Sequence, residues 1–458
     1  MIRDLAELAR VAGGVLSGSN AAFGAVISDS RALEPGALFV ALRGERFDGH
    51  QFVPEAQQKG AAGALVERQV AAALPQVVVP DALAGLTAFA AAWRCAFDGK
   101  VVGITGSNGK TTVKEMTGAI LACEGLTLVT RGNLNNHIGV PLTLCRLEAS
   151  HRYAVVEMGA NHQREIAHLA AIGRPDVGLV INAGPAHLEG FGGLEGVAKG
   201  KGEMFEALGI DGTAVINADD RFAAYWHGLA RSAGRVITFG MRERADFSAQ
   251  DVQSRATDGG FLSEFQLVTP VGRRTATLAL AGEHNVMNAL AAAAAAHAAG
   301  AGLDAIVEGL GRMRAVSGRL EVKQVSGGAR LIDDSYNANP GSVRAGLLAL
   351  ATLEGQHWLV LGEMRELGEE SAQMHAEIGE FARQNGVSRL FAVGDDARHA
   401  VEAFGAGATW FAGMDDLIAS LRAELAPGVT VLVKGSRSNR LERVAAALGA
   451  GAADGGSH

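Results

Sequence analysis

The run Gly106-Ser107-Asn108-Gly109-Lys110-Thr111-Thr112 carries the most specific chemistry in the sequence. It follows Val101-Val102-Gly103-Ile104-Thr105, which reads as a buried strand, and leads into residues 112–121, which read as a helix. Glycines at such a junction let backbone N–H groups converge on phosphate oxygens, and the helix N-terminus adds positive potential. Lys110 can then neutralise the outer phosphates, and the Thr111 hydroxyl can ligate Mg²⁺. A tight strand-to-helix turn with a surface lysine is the bland alternative, and the flanking strand and helix weigh against it. The common form of this loop has glycine where Ile104 stands, so the loop here is the shorter Thr-Gly-x-x-Gly-Lys-Thr-Thr form.

Two further polar positions fall just past strand-like runs. Glu157 closes the run 153–156 and precedes Met158-Gly159-Ala160-Asn161-His162; His187 follows the run 177–182. Ligands of open α/β sheets gather at the carboxyl ends of strands, so both residues can face the phosphate loop. With Thr111 they could hold divalent ions that bridge the β- and γ-phosphates. A lone Glu or His at a strand end is more often structural, so the pair carries the argument rather than either residue. Lys199 and Lys201 lie on a helix-like stretch, 197–208, and by themselves read as a solvated basic face.

These positions need a scaffold, and the chain is long enough for several domains. At 458 residues it exceeds one ordinary core of about 100–200 residues. Hydrophobic residues at 48% and charged residues at 20% fit a packed globular protein. The net charge of -8 argues against nucleic acid as the main partner. Three widely spaced cysteines without a metal-type doublet read as buried, reduced thiols. The start resembles no secretory signal, and no stretch approaches the ~20 apolar residues of a membrane span. A cytoplasmic protein is expected.

Three blocks follow along the chain. Residues 1–82 hold short strand-like runs (37–42 and 76–79) and end at a linker-like Pro80-Asp81. In residues 83–314, apolar strands at 100–105, 153–157, 177–182 and 213–217 alternate with helical stretches, which implies a parallel sheet covered on both faces. Residues 250–280 read as strands with turns, an antiparallel edge to that block. From 315 to 458 the alternation resumes, with strands at 358–361, 389–393 and 430–433, as in a doubly wound domain. The tail from 449 is small and polar and reads as disordered.

Taken in order, the motifs resemble those of the muramyl ligases, which use ATP to add amino acids to the peptidoglycan precursor. The resemblance runs from about residue 23 to 445. It includes Ser28-Asp29-Ser30-Arg31, Asp48-Gly49-His50, the short phosphate loop, Gly132-Asn133-Leu134-Asn135-Asn136, and the runs around Glu157 and His187. It continues through Lys199-Gly200-Lys201-Gly202-Glu203, His284-Asn285-Val286-Met287-Asn288, Gly318-Arg319, Asp333-Asp334-Ser335-Tyr336-Asn337-Ala338-Asn339-Pro340 and Lys434-Gly435-Ser436.

The resemblance implies an α/β fold of three domains. These are a small N-terminal UDP-sugar-binding domain, a central P-loop parallel-sheet ATPase domain and a C-terminal Rossmann-like domain. Residues 106–112 then hold the phosphates of ATP, with Thr111, Glu157, His187 and Lys201 around two Mg²⁺ ions. Lys201 takes the position of a lysine that is carbamylated in these ligases, with Lys199 as the rival. Asn285 and Asn288 face the adenine, Arg319 reaches the γ-phosphate and Asp334 binds the ribose. Ser30 and Arg31 belong to the UDP-sugar, and Asn133, Asn135, Asn136, His137 and Asn337 to the sugar-peptide. His137 stands where some relatives carry an acid.

The expected substrates are a UDP-N-acetylmuramoyl-tripeptide and D-alanyl-D-alanine, handled by a monomer and joined through an acyl phosphate. Sister ligases are the nearest rivals. No Asp-Asn-Pro-Arg run of the diaminopimelate-adding kind is present, and folate-polyglutamate ligases lack the UDP-sugar block. A non-enzymatic ATP switch would leave the run from Asn133 to Asn136 without a purpose.

Overall fold

The computed structural model describes residues 3–44, 47–257, 260–314, 318–325 and 328–449. Of the tail expected to be disordered from 449 onward, Gly449 ends the helix Glu442–Gly449, and residues 450–458 lie outside the described ones. Three α/β domains follow one another, each on its own largely parallel sheet. Among the described residues, no helix is long and apolar enough to cross a membrane.

The first sheet has the order Val15–Ser17, Gln76–Val78, Gly63–Val66, Leu38–Val40, Val26–Ile27, antiparallel only at its first pairing. Pro80-Asp81 leads straight into the next helix. The Asp81 side chain accepts the Ala84 N–H at 2.8 Å and so caps the helix Ala82–Cys95. That helix joins the first core to the second, because Leu86, Phe89 and Ala90 pack in one cluster with Leu5, Leu65, Val101 and Leu144. Arg3 fastens the same seam, with its guanidinium 4.3 Å from the Trp93 ring and 2.8 Å from the Leu147 carbonyl.

The central sheet is wholly parallel, in the order Arg235–Phe239, Thr213–Asn217, Val177–Val180, Lys100–Thr105, Tyr153–Glu157, Thr127–Val129. Its strands are near-continuous apolar runs because helices cover both faces. Residues 250–280 are antiparallel strands, as expected, and stand apart from the parallel sheet. They form a separate antiparallel sheet of Ser248–Thr257, Gly260–Thr269 and Gly272–Leu278. Phe247, Phe265, Leu267 and Leu278 turn inward onto the alanine-rich helix Glu283–Ala298, so burying that helix outweighs adding an edge strand.

The third sheet runs Glu321–Gln324, Arg330–Asp333, Val429–Lys434, Gln356–Gly362, Val387–Val393, Ala408–Phe411, with one antiparallel pairing at the Glu321 edge. The cysteines differ from the expectation of three buried thiols. Cys145 is buried, and burial pushes its thiol up to about 12, whereas Cys123 is half-buried and Cys95 is exposed at the end of its helix.

Candidate active site

The strand Lys100–Thr105 lies between one neighbour from later in the chain and another from later still, so the strand order reverses at its carboxyl end. A crevice opens at such a point. The loop that follows is pinned from the adjacent strand. Asn182 Oδ1 accepts the Asn108 N–H at 2.9 Å, and the Asn182 carbonyl accepts the Ser107 N–H at 3.1 Å. Gly109 begins the helix Lys110–Ala122 with φ of 83°, and a Cβ there would stand 2.5 Å from Asn288 Oδ1. Only glycine fits.

Lys110 Nζ folds back to donate to the Gly106 carbonyl at 2.7 Å and the Ser107 carbonyl at 3.2 Å. Burial lowers its pKa, Glu157 opposes that shift and Arg319 adds to it. A phosphate in the loop would satisfy the same ammonium and restore its charge.

Glu157 stands opposite Ile104 in the sheet register, which brings its carboxylate beside the loop. It is 2% exposed. One carboxylate oxygen accepts the Thr111 hydroxyl at 3.2 Å and the other accepts Asn135 Nδ2 at 2.7 Å. A hydroxyl and a carboxylate are hard oxygen donors that suit Mg²⁺. Among the described residues, no three His, Cys, Asp or Glu side chains gather around one point that could hold a metal. Such an ion would therefore need phosphate oxygens to complete its shell, as Mg²⁺ commonly does.

His187 lines the same cavity from a left-handed backbone conformation (φ 56°), but its ring meets the carboxylate of Glu366 in the third domain. The contact holds the Glu366 carboxyl below its ordinary value. The structure thus gives His187 a cross-domain partner within the cavity that Glu157 also lines.

Lys201 is not on a solvated face. It is 1% exposed on the helix Leu194–Glu206, while Lys199 on the same helix is exposed. Lys201 Nζ donates to the Ala160 carbonyl at 3.0 Å and lies 5.0 Å from the Phe191 ring centroid. Burial, then repulsion from Lys110, lowers its pKa well below the usual lysine value. That shift favours the neutral amine over the ammonium.

The helix Glu283–Ala298 carries Asn285 and Asn288 on one buried edge, with Asn288 Nδ2 donating to Asn285 Oδ1 at 3.1 Å. The third domain closes the other side. Arg319 donates to the Thr111 hydroxyl at 3.1 Å while its guanidinium lies 4.4 Å from the Tyr336 ring centroid. Asn339 Nδ2 donates to Asn108 Oδ1 at 2.5 Å. Asp334 sits at the end of its strand beside Lys434, whose Nζ is 2.6 Å away. Burial raises the Asp334 carboxyl pKa against the pull of that lysine.

Together these groups enclose a cavity of about 920 Å³. Its lining includes Ser107 to Thr112, Asn133, Asn135 to His137, Glu157, His187, Asn285, Asn288, Arg319, Asp334 and Asn337. Lys201 lies just behind the wall, bonded to the lining residue Ala160. Ser30 and Arg31 are not brought to it. Arg31 is exposed and paired with Asp29 at 2.7 Å, and the Ser30 hydroxyl donates to Glu55 at 3.2 Å. Sequence reasoning also missed Lys114, fully buried on the loop helix, and the cavity residue Tyr336. A lysine four residues after Lys110 on a helix with a buried face was the available signal for the first.

Three family models match in order: "Mur ligase family, catalytic domain" at residues 22–92, "Mur ligase middle domain" at 104–296, and "Mur ligase, glutamate ligase domain" at 318–437. The UDP-N-acetylmuramoyl-tripeptide–D-alanyl-D-alanine ligase of Escherichia coli (strain K12) is 45% identical over 447 residues, 97% of this chain and 98% of that protein. The chain belongs to the Mur ligase family. Among solved family structures, the UDP-N-acetylmuramoylalanyl-D-glutamyl-2,6-diaminopimelate–D-alanyl-D-alanyl ligase from Acinetobacter baumannii matches with a TM-score of 0.86 at 36% identity, covering 97% of each chain. The MurF ligase from Thermotoga maritima in complex with ADP matches with a TM-score of 0.79 at 28% identity, covering 93% of this chain and 97% of that one.

Proposed function

We propose that this Mur ligase joins D-alanyl-D-alanine to a UDP-N-acetylmuramoyl-tripeptide at the expense of ATP, releasing ADP and phosphate, as a monomer in the cytoplasm. The observation that carries the reading is Arg319 of the third domain bonded to Thr111 of the phosphate loop, which makes one cavity from two domains. The relatives named above supply the substrate class.

In this reading the tripeptide carboxylate attacks the γ-phosphorus of ATP, giving an acyl phosphate and ADP. The amine of D-alanyl-D-alanine then attacks the acyl carbon, and phosphate leaves from the tetrahedral adduct. Lys110 and Arg319 flank the transferring group and neutralise its charge, the main task of such a site. Asn285 and Asn288 hold the adenine, and Asp334 the ribose. Asn133, Asn135, Asn136, His137 and Asn337 line the sugar-peptide side, and Ser30 and Arg31 hold the UDP end. Thr111 and Glu157 would hold Mg²⁺, with His187 freed from Glu366 as a further donor. When bound, the ion lends Lewis-acid stabilisation to the phosphoryl oxygens.

Lys201 is assigned a carbamate, formed when its neutral amine adds to CO₂ and loses a proton. Burial supports this choice over exposed Lys199. The test is ADP release with mass analysis of the product. Release that needs both UDP-muramoyl-tripeptide and D-alanyl-D-alanine, with a UDP-muramoyl-pentapeptide formed, supports the reading; no release with both present sinks it.

A further inference from the structure

One wall of the cavity carries a cation with no partner. Four Lys or Arg side chains line the space: Lys110, Arg164, Arg319 and Lys434. Lys110 is held by loop carbonyls, Arg319 by Thr111 and Tyr336, and Lys434 by Asp334. Among the described residues, Arg164 alone of the four makes no ion pair or side-chain hydrogen bond, and it is exposed to the cavity.

Its position is built rather than incidental. Arg164 adopts a left-handed backbone (φ 71°) just before the helix Glu165–Gly173. The carboxylate of Glu203 clamps this bend, accepting the Arg164 N–H at 2.6 Å and the Ala167 N–H at 2.9 Å. Glu203 is 5% exposed and lies two residues beyond Lys201. His168, one turn on, lines the cavity beside Arg164. The neighbouring carboxylate, Glu165, also lines the cavity, but it accepts the N–H groups of Asn161 at 2.7 Å and His162 at 3.3 Å and makes no ion pair with Arg164. A free guanidinium there suits a planar, bidentate carboxylate.

Resting on the function proposed above, we infer that Arg164, aided by His168, binds the carboxylate on the side chain of the tripeptide's third residue. The enzyme should then prefer a third residue of the diaminopimelate kind, whose side chain ends in a carboxylate beside an ammonium, to lysine, which offers the ammonium alone. Glu157, Gly159, Ala160, Asn161, Gln163 and Arg164 follow one another along the same cavity lining, so Arg164 shares the wall that starts beside the phosphate loop.

The test compares initial ADP-release rates of the full chain with UDP-muramoyl-tripeptides ending in diaminopimelate or lysine, at saturating D-alanyl-D-alanine. Wild type should favour diaminopimelate by about tenfold or more in kcat/KM, the size of one charge-assisted hydrogen bond. Arg164→Asn, a side chain that tolerates positive φ, should bring that ratio within about threefold, chiefly through KM. Arg164→Lys should retain part of the preference, and thermal midpoints confirm that both variants fold. A parallel loss on both tripeptides would overturn the inference in favour of the carboxylate the two share. A rise in KM confined to D-alanyl-D-alanine would overturn it in favour of the dipeptide terminus. Absence of turnover by wild type with either tripeptide would remove the function proposed above, and this inference with it.

Discussion

Lys114→Met isolates a residue that sequence reasoning passed over. The Lys114 side chain is fully buried on the phosphate-loop helix. Its ammonium donates to the carbonyls of Thr130 at 2.8 Å and Gly132 at 3.2 Å, and stands 2.9 Å from Glu115 and 3.9 Å from Glu157. It therefore ties the loop helix to the segment that leads into Asn133, and it balances the 2%-exposed carboxylate of Glu157. Methionine keeps most of the volume but leaves that carboxylate without this cation and two carbonyls without a charged donor. Breaking a buried pair in this way costs about 3–5 kcal/mol. The assay is urea unfolding with unchanged slope, read as a lowered midpoint. Because the penalty arises largely from Glu157 left unbalanced, Lys114→Met/Glu157→Gln should cost clearly less than the sum of the two single changes. A Lys114→Met loss under about 1 kcal/mol, or strict additivity in the double variant, would refute the reasoning.

Three further outcomes follow from the site. Arg319→Ala should lower kcat by about 10²–10³, with the KM for ATP changed only a few-fold, if its role is the one proposed at the transferring group; steady-state kinetics checks this. Lys201→Ala should nearly abolish turnover and be partly rescued by a short carboxylic acid, whereas Lys199→Ala should leave the rate close to wild type. His284 is buried, and burial, followed by repulsion from Lys434, lowers its pKa from 6.5 to about 4. Below pH 6.5 the unfolded chain gains a proton that the folded chain refuses, so stability is full above 6.5 and falls progressively towards pH 4, by up to about 3 kcal/mol. Unfolding measured across that window should show a flatter decline in His284→Gln.

The local parts of the site were legible because their chemistry is local. A strand, a glycine turn and a helix fix the phosphate loop, and Glu157 reaches it because its strand pairs directly with the loop's own strand. Lys201 could not be placed by periodicity. Gly200 leaves room for Phe191, whose ring carbon would stand 2.3 Å from a Cβ there, and that close approach buries the lysine. His187 and Glu366 meet across 179 residues of chain, and the pairing depends on how two domains sit together. The sheet Ser248–Thr257, Gly260–Thr269 and Gly272–Leu278 was readable as antiparallel, but its place was decided by Phe247, Phe265 and Leu278 finding an alanine helix to cover. Arg31 is right for a diphosphate in type, yet its present partner is Asp29 on the surface.

The central claim is that Lys110 and Arg319, drawn from two domains, serve one phosphoryl transfer to a carboxylate. The most direct measurement uses UDP-muramoyl-tripeptide with ¹⁸O in both oxygens of its terminal carboxylate, turned over with ATP and D-alanyl-D-alanine. If an acyl phosphate forms, each phosphate released carries one ¹⁸O and each new amide keeps the other. Phosphate released without label, alongside formation of the amide, would contradict the account.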